Sequence, residues 1–254
     1  LITGDAYVDH PAYGVALIGR ALEAHGFRVG VIAQPDWRST SDFKRLGRPR
    51  LFFGITSGNV DSMVANYTAN KRPRRKDDYA PGGRLGMRPD RALIVYANRV
   101  RQAFKDVAIV IGGIEASMRR LAHYDYWDNR VRRSILLDAR ADLLVYGMGE
   151  GQTVAVARRL AAGEAIGRLD GIAGTAVIRK DPSFLDNAVV LPSCENVSAS
   201  QAQFNRAFER FYRQQNPHTA RPVVQAHGDR HVVVYPPPFP LKTAELDAIY
   251  ERNY

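Results

Sequence analysis

The chain has 254 residues, 45% of them hydrophobic, and its 36 Lys and Arg against 26 Asp and Glu give a net charge of +10. That content fits one large globular domain, or one domain with an appendage, and no apolar stretch is long enough to span a bilayer, so no membrane partner is expected. The single cysteine, Cys194, excludes internal disulfides and a thiolate metal cluster built from this chain alone, which makes a cytoplasmic setting the simplest expectation.

The opening Leu1-Ile2-Thr3 reads as the end of a first strand, followed by a polar loop from Asp5 to Tyr13. Val15, Ile18 and Leu22 recur at helical spacing, and Gly26 closes that helix. A second strand is expected over 27–33, with Gln34-Pro35-Asp36-Trp37 as its exit, then a short helix near 41–46 capped by Ser41 or Asp42. Leu51 to Ile55 reads as a third strand, and residues 59–68 as a helix. A Pro/Gly/Arg-rich excursion without periodicity follows over 71–90. The remaining pattern predicts a helix over 92–104, strands over 107–111 and 141–146, a helix opening at Gly147-Met148-Gly149-Glu150-Gly151, and a final edge strand over 172–178. Apolar strands joined by helix-length crossovers imply an α/β fold, a mostly parallel doubly wound sheet of flavodoxin or cobalamin-binding type. After residue 180 the rhythm changes. Residues 1–180 are expected as the α/β domain and 181–254 as an irregular linker or extension, with a helix over 205–215, a strand over 231–235 and a short helix over 243–250. The chain opens without Met and stops without a cap, so it is expected to be a piece of a longer protein.

The richest segment is Gly112-Gly113-Ile114-Glu115-Ala116-Ser117-Met118-Arg119-Arg120-Leu121-Ala122-His123-Tyr124-Asp125-Tyr126-Trp127. It leaves a buried strand through two glycines and gathers cationic, aromatic and hydrogen-bonding side chains where open α/β sheets bind ligands. Arg119 and Arg120 offer bidentate contacts to an anion, and Tyr124, Tyr126 and Trp127 offer rings for stacking. Ligand contact and domain docking explain the segment equally well. Asp5, Asp9 and His10 leave the first strand at the same rim, suited to proton transfer or metal contact but also to simple capping. Gly147-x-Gly149-x-Gly151 departs from the dinucleotide spacing, so its glycines read as structural, with Glu150 at a helix start. No metal ligand set and no catalytic residue can be assigned. Lys71, Arg72, Arg74, Arg75, Lys76, Arg84, Arg88 and Arg91 form a basic cluster in the excursion, open to an anionic ligand or to RNA.

Thr3-Gly4-Asp5-Ala6-Tyr7-Val8-Asp9-His10-Pro11, Ala33-Gln34-Pro35-Asp36-Trp37, the Gly112–Trp127 run and His227-Gly228-Asp229-Arg230 together resemble the N-terminal region of the YgiQ-type radical SAM proteins, over nearly the whole chain. The resemblance implies a cobalamin-binding-like α/β domain ahead of a radical SAM barrel. It implies an enzyme of unassigned substrate and reaction, with a four-iron, four-sulfur (4Fe-4S) cluster and S-adenosylmethionine held by a Cys-x-x-x-Cys-x-x-Cys motif that Cys194 does not match. The cluster ligands would then lie beyond this chain, which is not catalytically competent alone, and its partners would be its own barrel and a small anionic or aromatic substrate. Asp9 and His10 are adjacent, unlike the Asp-x-His-x-x-Gly of a cobalamin site, so no cobalt ligand carries over, and bound cobalamin stays an open but unsupported alternative. The residues expected to contact substrate or a second cofactor are Asp5, Asp9, His10, Asp36, Trp37, Gly112, Gly113, Glu115, Arg119, Arg120, His123, Tyr124, Asp125 and Glu150. That expectation requires His10, Trp37 and His123 to meet in one pocket around Gly113. The alternative is a non-catalytic module binding an anionic ligand or RNA through 71–91.

Overall fold

The computed structural model of the chain describes residues 1–8 and 13–254. The expected contacts Asp9 and His10 lie outside the described residues.

Alternation along the buried strands decides the architecture. In β4 (Ile109–Gly112), Ile109 and Ile111 enter one hydrophobic cluster and Val110 another, and all three are buried. In β7 (Leu143–Val145), Leu144 joins the first cluster, while Leu143 and Val145 join the second. Strands apolar on both faces require helices on both faces. One face is covered by α4 (Ala92–Ala103), through Leu93, Tyr96, Ala97 and Val100. The opposite face is covered by α1 (Gly14–Glu23) and α7 (Glu150–Ala161), which touch through Ala21, Leu22, Val154 and Ala157.

With β1 (Ile2–Thr3), β2 (Ile32–Ala33) and β3 (Phe53–Thr56), these strands run parallel in the order β2-β1-β3-β4-β7. This is the flavodoxin-type doubly wound order, whose direction of build reverses between β1 and β3. The crossovers carry shorter helices, α2 (Ser41–Lys44) and α3 (Ser62–Asn66). Between β4 and β7 lie α5 (Gly113–Met118), the hairpin of β5 (His123–Asp125) and β6 (Arg130–Arg132), and α6 (Ile135–Asp138).

The sheet continues beyond residue 180. The strand expected at an edge, β8 (Thr175–Arg179), is internal: it pairs antiparallel with β7 on one side and with β11 (Arg230–Val234) on the other. Next come β10 (Val223–His227) and, parallel to it, β9 (Val189–Val190), completing a nine-stranded sheet. The change of rhythm in the sequence is a change of strand direction. A two-residue turn replaces a helical crossover, with Gly228 at φ +63° between β10 and β11. The last helices are α8 (Cys194–Ala199), α9 (Gln201–Tyr212) and α10 (Thr243–Tyr250).

Candidate functional site

The exits of β1 and β3 lie side by side at the reversal of strand order, and a cavity of about 870 Å³ opens there. It runs from the rim down between α1 and the sheet, with Ile18 on the helix side, Val110 and Val145 on the sheet side, and Thr153 from the first turns of α7 in its lining. Tyr7, Tyr13, Tyr79 and Tyr254 stand around its mouth, with the Tyr13 and Tyr254 rings 5.2 Å apart between centroids.

Backbone makes this mouth, and glycine allows it. Gly58 sits at φ +112°, and a Cβ there would come 2.0 Å from the Asp5 carboxylate. Gly113 sits at φ +83°, and its Cβ would lie 2.5 Å from the Thr56 hydroxyl oxygen. Only residues without a Cβ permit both the left-handed backbone and this approach. Asp5 ties the loops together: its carboxylate accepts from the Asn59 backbone N–H at 2.7 Å and pairs with Arg88 at 2.7 Å. Arg88 is fully buried, also pairs with Asp77 at 3.4 Å, and its Nε donates to the Gly4 carbonyl at 3.2 Å. A buried cation so enclosed is structural, and it neutralises Asp5 from behind.

Of the residues expected from sequence, Asp5, Gly112, Gly113 and Glu150 line this cavity. The others among the described residues do not, and each has identifiable work elsewhere. The Glu115 carboxylate is buried beneath the rim and accepts from the backbone N–H of Ser62 at 2.8 Å and of Leu93 at 3.3 Å. It thereby satisfies free donors in the first turns of α3 and α4. Burial first, and the nearby Asp61 charge second, push its carboxyl above the usual range. Arg119 pairs with Asp61, which itself caps α3 by accepting from Met63 N–H at 2.9 Å. Arg120 is sandwiched between the rings of Tyr146 (4.4 Å) and Phe211 (4.7 Å). Neither arginine is available to an anion in the cavity.

His123 stands at a second, water-sized recess with Arg91, Glu115, Asp125 and Arg132. Its Nδ1 lies 3.1 Å from the Leu121 carbonyl, and burial depresses its pKa to about 4, which keeps the ring neutral. Asp125 accepts from the backbone N–H of Trp127 at 2.9 Å and of Asp128 at 3.1 Å, and pairs with Arg91 at 3.0 Å. Burial opposes its ionisation, but the Asp128 N–H and Arg91 prevail and hold the carboxyl below its ordinary value. Tyr124 is half exposed and bonds Asn129 across the same hairpin. Asp36 pairs with Arg38 at 3.3 Å, and the Trp37 carbonyl accepts from Arg99 at 2.7 Å, both at the β2 exit. Trp37 and His123 therefore do not share the pocket at Gly113. The expected convergence reduces, within the described residues, to the exits of β1, β3, β4 and β7.

The cavity's tyrosine mouth and its Ile18 and Thr153 walls escape a sequence reading. They are ordinary amphipathic-helix and loop residues until the fold places them. The available signal was Thr56-Ser57-Gly58-Asn59, a second glycine exit beside the first.

No group of three His, Cys, Asp or Glu among the described residues is arranged to hold a metal ion, and no helix among them is long and apolar enough to cross a membrane.

A doubly wound sheet with an apolar cleft at its order reversal defines a flavodoxin-like α/β domain. Within that class the chain belongs to the radical SAM N-terminal family, whose model matches residues 1–254. It is 52% identical to a UPF0313 protein of Rhodopseudomonas palustris, over 100% of this chain and 40% of the relative. It is 56% identical to one of Geobacter sulfurreducens (98% and 41%) and 54% identical to one of Methanocella arvoryzae (100% and 42%). The chain thus spans about two-fifths of the length of these curated relatives. No solved structure matches it significantly.

Proposed function

We propose that this chain is the N-terminal accessory domain of a radical SAM enzyme, and that its strand-end cavity receives a ring-bearing part of the substrate or of a second cofactor. The observation that carries the reading is the cavity itself, about 870 Å³ at the switch point of a radical SAM N-terminal domain. Its charged lining among the described residues is Asp5, already paired, and Glu150. Apolar walls and a tyrosine mouth suit a neutral or cationic ring better than a phosphate.

The residues present do not fit an iron-sulfur cluster: Cys194 is the one cysteine, half-buried on α8 far along the chain from the cavity segments. The cluster and S-adenosylmethionine belong, in this proposal, to the portion of the full-length protein beyond this chain. No cobalt ligand can be named, since no histidine among the described residues lines the cavity. What this chain contributes is binding and exclusion of water. Exposed Ile114 and Met148 at the rim give the barrel an apolar surface to cover. A cytoplasmic setting belongs to the same proposal.

The test is anaerobic iron-sulfur reconstitution of the full-length protein. The expected result is the visible absorbance of a four-iron cluster and reductive cleavage of S-adenosylmethionine to 5′-deoxyadenosine. A full-length protein that takes up no cluster contradicts the proposal.

A further inference from the structure

Away from the cavity, the basic excursion folds against the β5–β6 hairpin. Residues 67–73 close into a small loop through a bridge between Tyr67 and Pro73, with Thr68 N–H donating to the Arg72 carbonyl at 2.8 Å. Lys71 takes a left-handed backbone (φ +58°) at its tip. Its ammonium donates to the Trp127 carbonyl at 3.2 Å and lies 4.6 Å from the Tyr126 ring centroid. The Tyr126 hydroxyl donates to the Ala69 carbonyl at 2.7 Å. The Tyr67 and Trp127 rings are 5.3 Å apart, and Trp127 meets Tyr126 at 5.4 Å, edge to face. Two loops distant in sequence thus form one fixed aromatic platform, with Tyr124 and Tyr126 each about half exposed (50% and 49%).

The charge on this platform is unbalanced. Lys71, Arg72, Arg74 and Arg75 are all exposed, and none forms an ion pair among the described residues. The carboxylates nearby are already engaged. Asp90 accepts from Tyr67 and Asn66, each at 2.8 Å. Asp128 pairs with Arg91 at 2.9 Å and Arg132 at 3.0 Å, and Asp78 pairs with Lys76 at 2.8 Å. Cation–carbonyl and tyrosine bonds fix the aromatic rings without using the arginine charges. An anionic polymer supplies repeated charges to such a surface, and flat rings beside them select unpaired bases.

We infer that the Tyr67–Lys76 loop and the Tyr124–Arg130 hairpin together bind a single-stranded nucleic acid, phosphates on Arg72 and Arg75 and a base on Tyr126. The surface is independent of whatever enters the cavity. The same excursion does reach both, since Tyr79 lines the cavity mouth.

Fluorescence anisotropy of the full-length protein with labelled oligouridylate, oligodeoxythymidylate, a duplex of mixed sequence and heparin tests this at several salt concentrations. Tighter binding of either single strand than of the duplex is expected, and the two single-strand arms separate RNA from DNA. Arg72→Glu with Arg75→Glu should weaken the single strand about tenfold or more and lower the salt slope by roughly 1.4, the share of two phosphates. Tyr126→Ala should weaken it about tenfold while leaving the salt slope unchanged, and Tyr126→Phe, which keeps the ring but loses the bond to Ala69, should bind between the two. Equal binding of duplex, heparin and single strand, indifferent to Tyr126→Ala, overturns the inference and identifies a generic polyanion surface. Absence of binding by the unaltered protein at low salt also overturns it.

Discussion

Glu115 follows two glycines at a ligand-binding rim, so sequence alone makes it a contact residue. The structure turns it downward, where it serves the first turns of two helices. Glu115→Gln keeps one acceptor and loses the other, leaving a buried N–H donor unpaired. That should cost about 1–3 kcal/mol in chemical denaturation. The glycines tell the opposite story. Gly113 was legible as a turn, and its role is steric: alanine at φ +83° with Thr56 2.5 Å away should destabilise by about 2 kcal/mol or more. His123 makes a pH prediction. Its folded pKa, about 4, lies below the ordinary 6.5, so between those values the unfolded state binds more protons. Stability should therefore fall as pH drops from 6.5 towards 4. Urea melts of the parent and of His123→Phe across that window should show a weaker pH dependence in the variant. Arginines 119 and 120 could not have been placed from sequence, because their partners, Asp61, Tyr146 and Phe211, are distant in the chain.

At the scale of elements, periodicity located two helices closely but missed the start of α9, expected over 205–215 and beginning at Gln201. The expected 92–104 and 243–250 match α4 and α10 almost to the residue, because each has a continuous apolar stripe or a clear cap. The strand expected over 27–33 pairs only at Ile32 and Ala33, since its first half packs Phe27 and Val29 against α1 rather than into the ladder. The β5–β6 hairpin was hidden by its own chemistry: His-Tyr-Asp and Arg-Val-Arg show no apolar alternation, and an ion-pair network of Arg91, Asp125, Asp128, Arg132 and Asp138 fixes the pair instead. Central strands depend on packing from both faces. Leu144→Ala, at a fully buried β7 position, should therefore cost about 2–5 kcal/mol by the same urea melts.

For the molecule as a whole, the parallel half of the sheet was readable from alternating strands and helices, whereas of the antiparallel half the strands over 172–178 and 231–235 were expected but not β9, β10 or the way the four pair. Two-residue β9 carries no local pattern, and the Gly228-Asp229 turn, a hairpin signal between two apolar runs, does not by itself show that the hairpin extends the parallel sheet. The flavodoxin-type order places the exits of β1 and β3 together, and that placement, more than any single residue type, creates the cavity. The central claim is that this cavity is a ligand site for uncharged or cationic rings. Titration of the full-length protein with a neutral naphthalene fluorophore, in the parent and in Thr153→Trp, tests it most directly. The account predicts saturable fluorescence enhancement in the parent, not displaced by adenosine monophosphate, and its loss in a variant that melts like the parent. Unchanged binding in a folded Thr153→Trp protein, or preferential binding of the phosphate, would contradict it.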